Sequence, residues 1–208
     1  MKIGKYFLVI FLILFLYLVA WPIPIDPVAW TPPSAPDLKG EYAINDYLAS
    51  SNIIHVNGSI GPEDVDIDKN GLLYGGFLDG KIIRFTPEGK NIGVFADTKG
   101  RPLGLDFDNS GNLIIADALK GLLSIDINGN IKTLATEIDG VPLNFTDDVD
   151  VGPDGMIYFS DASEKFNVHN YRGDLWEHRP HGKLISYDPS TEKLTLLLGN
   201  LYFANGVA

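Results

Sequence analysis

The 208-residue chain contains no cysteine, which excludes disulfides, thiolate metal sites and a cysteine nucleophile. That absence does not fix the compartment, because a core of this size needs no covalent staple. Basic residues are scarce: 16 Lys and Arg stand against 27 Asp and Glu, for a net charge of −11. Non-specific nucleic-acid binding needs cations to neutralise phosphates, so that class is disfavoured. Cations, neutral ligands or plain solubility fit the balance better. No Gly-x-Ser-x-Gly elbow, phosphate-binding loop or His-Glu-x-x-His pair occurs. Beyond the first twenty-odd residues, no stretch carries the apolar period of a three-turn amphipathic helix. What remains is an ordinary globular composition, 45% hydrophobic and 21% charged, so disorder is not the default.

The N-terminus reads as a membrane element. Lys2 and Lys5 precede an unbroken apolar run from Tyr6 to Trp21, and no charge follows until Asp26. Extended through Pro22–Ile25, the run approaches the ~20 residues of a transmembrane helix. The leading lysines put the N-terminus in the cytoplasm and the body on the far side. Two alternatives stay open: a cleaved signal peptide with secretion, for which Leu18-Val19-Ala20 is a poor cleavage site, and a buried helix. Residues 1–25 are thus expected to be a cytoplasmic stub and membrane anchor. Residues 26–60 read as a spacer and entry segment. Six prolines at positions 22, 24, 27, 32, 33 and 36 predict an extended chain holding the body off the bilayer.

The body, 61–208, is a repeat. Three stretches align on Gly71, Gly111 and Gly155, and each has an aspartate five residues earlier: Asp66, Asp106 and Asp150. Asn70-Gly71, Ser110-Gly111 and Asp154-Gly155 are hairpin turns between alternating apolar and polar residues. A period of about 40–45 residues with four predicted strands each points to β-propeller blades. The blades fall near 61–99, 100–140 and 146–201, with another starting at 203. Asp66, Asp106 and Asp150 recur in every blade, so they are expected to satisfy turn N–H groups rather than to carry function. Between Ser160 and Lys183 the third repeat carries an insertion with Tyr171, Trp176, His169, His178 and His181. It reads either as a lid over a site or as a packing loop.

Residues in one phase of successive blades converge on the central channel. Glu63 and Asp147 each lie eight residues before their turn glycine, where the second repeat has Leu103. Asn205, in Phe203-Ala-Asn-Gly-Val-Ala208, fits the same phase in a fourth repeat. Two carboxylates and an amide oxygen suit a hard cation such as Ca²⁺. The competing reading is that these acids cap turns or sit solvated at the mouth. No catalytic group can be named from the sequence.

Several segments resemble the strictosidine-synthase-like family, which groups with gluconolactonases and paraoxonases. These are Gly61-Pro-Glu63, Asp148-Val-Asp-Val, Tyr158-Phe-Ser-Asp-Ala-Ser163, Trp176-Glu-His-Arg-Pro-His-Gly-Lys183, Tyr187-Asp-Pro-Ser190 and Leu201-Tyr-Phe-Ala-Asn-Gly-Val-Ala208. The resemblance implies an all-β, six-bladed propeller with a divalent cation, usually Ca²⁺, at the channel floor. On that pattern Glu63 and Asn205 fall on ligand positions. Asp147 stands where many relatives have Asn, which adds negative charge. The chain then reads as an N-terminal fragment with about three and a bit blades, and further ligands and the base are expected downstream.

The expected function is a membrane-anchored, Ca²⁺-dependent hydrolase of small-molecule esters or lactones. The alternatives are a non-catalytic binding propeller with a structural cation and an amine–aldehyde condensing enzyme. No nucleic-acid partner is expected.

Overall fold

The computed structural model describes the backbone of residues 2–56 and 59–208, with side chains from Gly4 onward. Met1 and the side chain of Lys2, used above for orientation, lie outside the described residues.

Helix α1, Lys2–Ala20, is apolar on every face, and its side chains from Tyr6 to Val19 are all exposed. Pro22 and Pro24 stop it, because the residue before a proline is driven out of helical conformation. Its last bond runs from the Trp21 N–H to the Tyr17 carbonyl. The uncharged part, Tyr6–Ala20, therefore falls short of the ~20 residues a span requires. Among the described residues, no helix is long and apolar enough to cross a membrane. The expected transmembrane helix, and the extension through Pro22–Ile25, are corrected accordingly.

The body is mostly strand. The first sheet holds β1 (Val65–Ile67), β2 (Leu73–Gly76), β3 (Lys81–Phe85) and β4 (Gly93–Asp97) in consecutive antiparallel order. The second holds β5 (Pro102–Phe107), β6 (Leu113–Asp117), β7 (Gly121–Ile125) and β8 (Ile131–Ala135). A two-stranded hairpin follows, β9 (Glu137–Ile138) with β10 (Val141–Pro142). The third sheet holds β11 (Thr146–Val151), β12 (Ile157–Asp161), β13 (Gly182–Asp188) and β14 (Lys193–Leu201). A short helix, α2 (Arg172–Glu177), lies in the insertion between β12 and β13.

The sheets stack face to face. Leu113 and Ile115 of β6 pack with Tyr74 and Ile82 of the first sheet, while Ile114 and Ala116, pointing the other way, pack with Val149, Phe159 and Ile185 of the third. This is the two-residue alternation of a strand buried on both sides. The first strands β1, β5 and β11 lie side by side.

Carboxylates tie these strands together. Asp64 Oδ2 accepts from the Leu105 N–H at 3.0 Å, and Asp66 Oδ2 from the Phe107 N–H at 3.0 Å. Asp106 Oδ2 accepts from the Val151 N–H at 2.7 Å, and Asp148 Oδ2 from the Val207 N–H at 2.7 Å. The recurring aspartates Asp66 and Asp106 therefore join one sheet to the next and do not cap turns. A strand edge facing another strand edge offers N–H groups that a carboxylate can reach, with the strength of a charged hydrogen bond. Turn capping belongs to acids two residues further on. Asp68 Oδ1 accepts from the N–H groups of Asn70 and Leu72, and Asp108 Oδ1 from those of Ser110 and Asn112.

Candidate functional site

The site lies where the inner strands begin. In β11 the ladder pairs Thr146 with Asp161 and then Val149 with Phe159, so Asp147 and Asp148 together face one residue of β12. That bulge frees both side chains from the regular alternation, as bulges beside functional sites do. The same break occurs in β5 between Pro102 and Leu105, at Leu103 and Gly104.

Glu63, Asp64, Gly104, Asp147, Asp148 and Asn205 line one cavity of about 160 Å³. The three residues singled out by phase, Glu63, Asp147 and Asn205, are thus brought together. Asp64, Asp148 and Gly104 were missed, although they share one phase of the three repeats. Gly104 is required by close approach: a β-carbon there would lie 2.2 Å from Asp148 Oδ1 and 2.6 Å from its α-carbon.

The electrostatics are one-sided. Four carboxylates meet here, and the nearby cation is Arg101, whose Nη2 lies 3.7 Å from Glu63 Oε2. Asp64 and Asp148 are already engaged by Leu105 and Val207. Asp147 is 2% exposed, and its Oδ2 has no hydrogen-bond partner among the described residues. Burial raises its carboxyl to about 7; the charges of Glu63, Asp148 and Asp161 add to this, and Arg101 opposes it. A buried, unpartnered carboxylate oxygen among further acids and an amide is the donor set of a hard divalent cation. The residues present therefore fit such an ion. Among the described residues, no cluster of three or more His, Cys, Asp or Glu is arranged to hold a metal, and the Asn205 amide lines the same cavity as the acids.

Asp161 stands behind this layer. Its Oδ1 accepts from the Phe145 N–H at 2.8 Å, and burial raises it to about 6. Asp117 does the same for the second sheet, accepting from the Arg101 N–H at 2.9 Å. These two acids fix where each inner strand enters the cavity. The N–H that Asp161 holds lies 16 residues back in the chain, beyond the reach of local sequence pattern.

The insertion contributes no lining residue but flanks the site. Ser163 Oγ donates to Asp174 Oδ2 at 2.5 Å, both buried, and Phe166 packs so closely on Gly173 that a β-carbon there would sit 2.4 Å from its ring. Lys165 Nζ lies 2.7 Å from both oxygens of Glu177. Tyr171 and Phe145 bracket Phe203, two residues before Asn205, at centroid distances of 6.3 and 5.6 Å. His178 and His181 do not share a site. His178 lies between Trp30 and Tyr202, and His181 Nε2 lies 3.4 Å from Glu177 Oε1.

A larger cavity, about 310 Å³, opens at the other end of the first two sheets. Its acids Asp68, Asp108 and Asp126 are all engaged in turns, so it has no comparable free donor.

Comparison with known proteins extends these observations. Residues 147–208 match the strictosidine synthase family, and residues 40–85 match the strictosidine synthase-like N-terminal family. Protein strictosidine synthase-like 4 of Arabidopsis thaliana is 39% identical over 193 residues, covering 89% of this chain and 51% of that protein. The adipocyte plasma membrane-associated protein of Salmo salar is 32% identical over 203 residues, covering 88% of this chain and 48% of that protein. The chain thus spans about half the length of the curated relatives it matches. Among solved structures, a gluconolactonase of Xanthomonas campestris superposes with a TM-score of 0.53 at 19% identity, covering 68% of this chain and 47% of that one. A chain of a nidogen/laminin complex gives a TM-score of 0.53 at 18% identity, covering 71% of this chain and 52% of that one. Both likenesses speak for a propeller-type fold alone. Two matched segments carrying the site's Glu63, Asp147 and Asn205, and relatives across plants and fish, establish that the chain belongs to the strictosidine synthase-like family.

Proposed function

We propose that this chain supplies part of a membrane-associated, Ca²⁺-dependent hydrolase of esters or lactones, built on a ring of six sheets. The observation that carries the reading is the buried, unpartnered Oδ2 of Asp147 in a cavity shared with Glu63 and Asn205. These three would hold the cation. When bound, it supplies a Lewis acid that polarises a carbonyl oxygen and offsets negative charge developing there. The protein's own residues do the rest. The bulge at Asp147–Asp148 aims the donors, Arg101 tempers the charge of Glu63, and the Phe145–Phe203–Tyr171 wall offers an apolar flank for an acyl chain. Relatives named for the plasma membrane, together with the exposed apolar helix α1, support membrane association.

A binding propeller with a structural cation is the second reading. It is favoured by Asp64 and Asp148, which line the same cavity while tying neighbouring sheets together. The family's name also admits amine–aldehyde condensation. Calcium titration by calorimetry and thermal shift, with hydrolysis of a lactone and aryl-ester panel, separates these readings. Glu63→Gln should lose the binding heat and lower kcat/KM by about 100-fold or more. Calcium binding without turnover in the unaltered protein supports the binding reading, and no binding heat refutes the cation altogether.

A further inference from the structure

Four asparagines of the chain are followed by glycine: Asn57, Asn70, Asn128 and Asn205. This pairing is open to an intramolecular reaction, because a glycine nitrogen has no neighbouring side chain to obstruct its attack on the asparagine amide. Asn57-Gly58 lies outside the described residues. The other three differ in how their groups are held. At two of them the glycine N–H is taken by a turn carbonyl: Gly71 donates to the Asp68 carbonyl at 2.9 Å, and Gly129 to the Asp126 carbonyl at 2.9 Å. The Asn70 side chain is held as well, its Nδ2 donating to Asp68 Oδ2 at 3.3 Å. Among the described residues, neither the Gly206 N–H nor the Asn205 side chain has a hydrogen-bond partner, and both residues are exposed.

The repeat explains why this glycine is free. Val207 gives its N–H to Asp148 Oδ2 as Leu105 gives its own to Asp64 Oδ2, so Gly206 holds the phase of Gly104. Gly104 and Asp148 share that phase, and the bulges of β5 and β11 take both out of the ladder. The Asp148 N–H is recovered by Ser160 Oγ at 3.1 Å, whereas among the described residues no acceptor reaches Gly206. Asn205 is also the one uncharged side chain lining the cavity, beside Glu63, Asp64, Asp147 and Asp148. A change at its amide therefore changes the site.

We propose that Asn205-Gly206 is a site of spontaneous deamidation that impairs the cation-free site, and that an occupied site resists it. The Gly206 nitrogen bonds to Asn205 Cγ and the Cγ–Nδ2 bond breaks. The amide nitrogen leaves as ammonia with the Gly206 proton, which closes a five-membered imide. Water then opens the ring at one of its two carbonyls. Opening at Cγ leaves aspartate, and opening at the former backbone carbonyl leaves isoaspartate. Either product adds a negative charge to a cavity already lined by acids. Isoaspartate also lengthens the main chain by a methylene before Gly206, which draws Val207 off Asp148 Oδ2. A cation on the Asn205 amide oxygen fixes the side chain in the cavity and keeps Cγ from turning onto the Gly206 nitrogen. This protection rests on the cation reading above; the modification does not.

The full chain, incubated in mildly alkaline buffer with EDTA or with saturating calcium chloride, tests this by peptide mapping of each asparagine. Without calcium, Asn205 should convert about tenfold faster than Asn70 or Asn128, the factor that one net hydrogen bond on the turn glycine is worth. Saturating calcium should slow conversion at Asn205 by about tenfold or more and leave the other two unchanged. In Gly206→Ala the added methyl meets nothing nearer than Asp148 Oδ2 at 3.8 Å, so the variant should fold as before. Its new side chain should slow conversion at Asn205 by about tenfold. Protein aged without calcium should lose calcium-binding heat in proportion to the isoaspartate formed. Conversion at Asn70 or Asn128 as fast as at Asn205 overturns the proposal, as does undiminished conversion in Gly206→Ala. Undiminished heat in aged protein overturns the impairment. Fast conversion that calcium leaves unchanged, in protein that binds calcium, overturns the protection. The same insensitivity with no binding heat refutes the cation reading and leaves the modification standing.

Discussion

The second and third sheets use the same device for different ends. In each, an aspartate at the end of the second strand holds the N–H that opens the first strand: Asp117 for Arg101, Asp161 for Phe145. In each, a bulge follows at once. The residue the bulge aims inward is Leu103 in the second sheet and Asp147 in the third, and both are 2% exposed. Leu103 packs with Ala118, Phe145 and Ala162. Asp147 has a carboxylate oxygen with no partner and a carboxyl raised by burial to about 7. On the cation reading proposed above, equal burial with opposite chemistry separates what the fold needs from what a ligand would need. A leucine there stabilises the fold, whereas an unsatisfied acid costs stability that a bound cation would restore.

Substitutions that erase or exaggerate this contrast should rank by how much packing they disturb. The largest effect is expected at the contact between the two bulges. Gly104→Ala drives a β-carbon into Asp148 and should cost about 3 kcal/mol or more, read as a fall in the denaturant midpoint. Next, Asp117→Ala should cost about 2–3 kcal/mol, because Oδ1 accepts from both Arg101 and Leu119 and their N–H groups lose it. Asp147→Leu makes the third sheet copy the second. It should raise stability in the absence of cation at pH 8 by about 1–3 kcal/mol and abolish any calcium-dependent thermal shift. A loss of stability there would break the comparison.

The smallest effect concerns pH. Burial raises Asp106 to about 6, reinforced by the charges of Asp66 and Asp150 and opposed by the N–H groups of Val151 and Phe107. A carboxyl raised in the folded state binds its proton more tightly there than when unfolded. Its contribution is therefore full below about pH 4 and is lost as pH rises toward 6. Asp106→Asn should flatten the fall in melting temperature over that window by the equivalent of about 1 kcal/mol, discounted for partial solvent screening. An unchanged slope would remove Asp106 from the account.

Much of the fold could be read directly from the chain. Turn glycines and alternating residues locate strands, since Gly71, Gly111 and Gly155 all take positive φ values that other residues resist. Glu63, Asp147 and Asn205 could be grouped because repeats superpose equal phases on one axis. Asp66 and Asp106 were misread because the N–H groups they bind lie 41 and 45 residues onward, in the next sheet. Local pattern cannot distinguish an acid that caps its own turn from one that bridges two sheets. The apolar run at the N-terminus suggested a span; the helix instead ends at Ala20 under the influence of Pro22.

By itself, the sequence determined the repeat, the strand order within each sheet and the phase that gathers the oxygen donors. Those follow from short-range rules: the two-residue strand period, glycine at positive φ and turn chemistry. Only the tertiary structure decided which acids are free. Asp64 and Asp148 are taken by distant backbone N–H groups, while Asp147, one residue from Asp148, is left unpartnered by a bulge. It also decided that the proline-rich segment straps onto the insertion through Asp26, Val28 and Trp30. Such choices depend on groups far apart in the chain competing for the same hydrogen bonds, and that competition exists only once the sheets are packed.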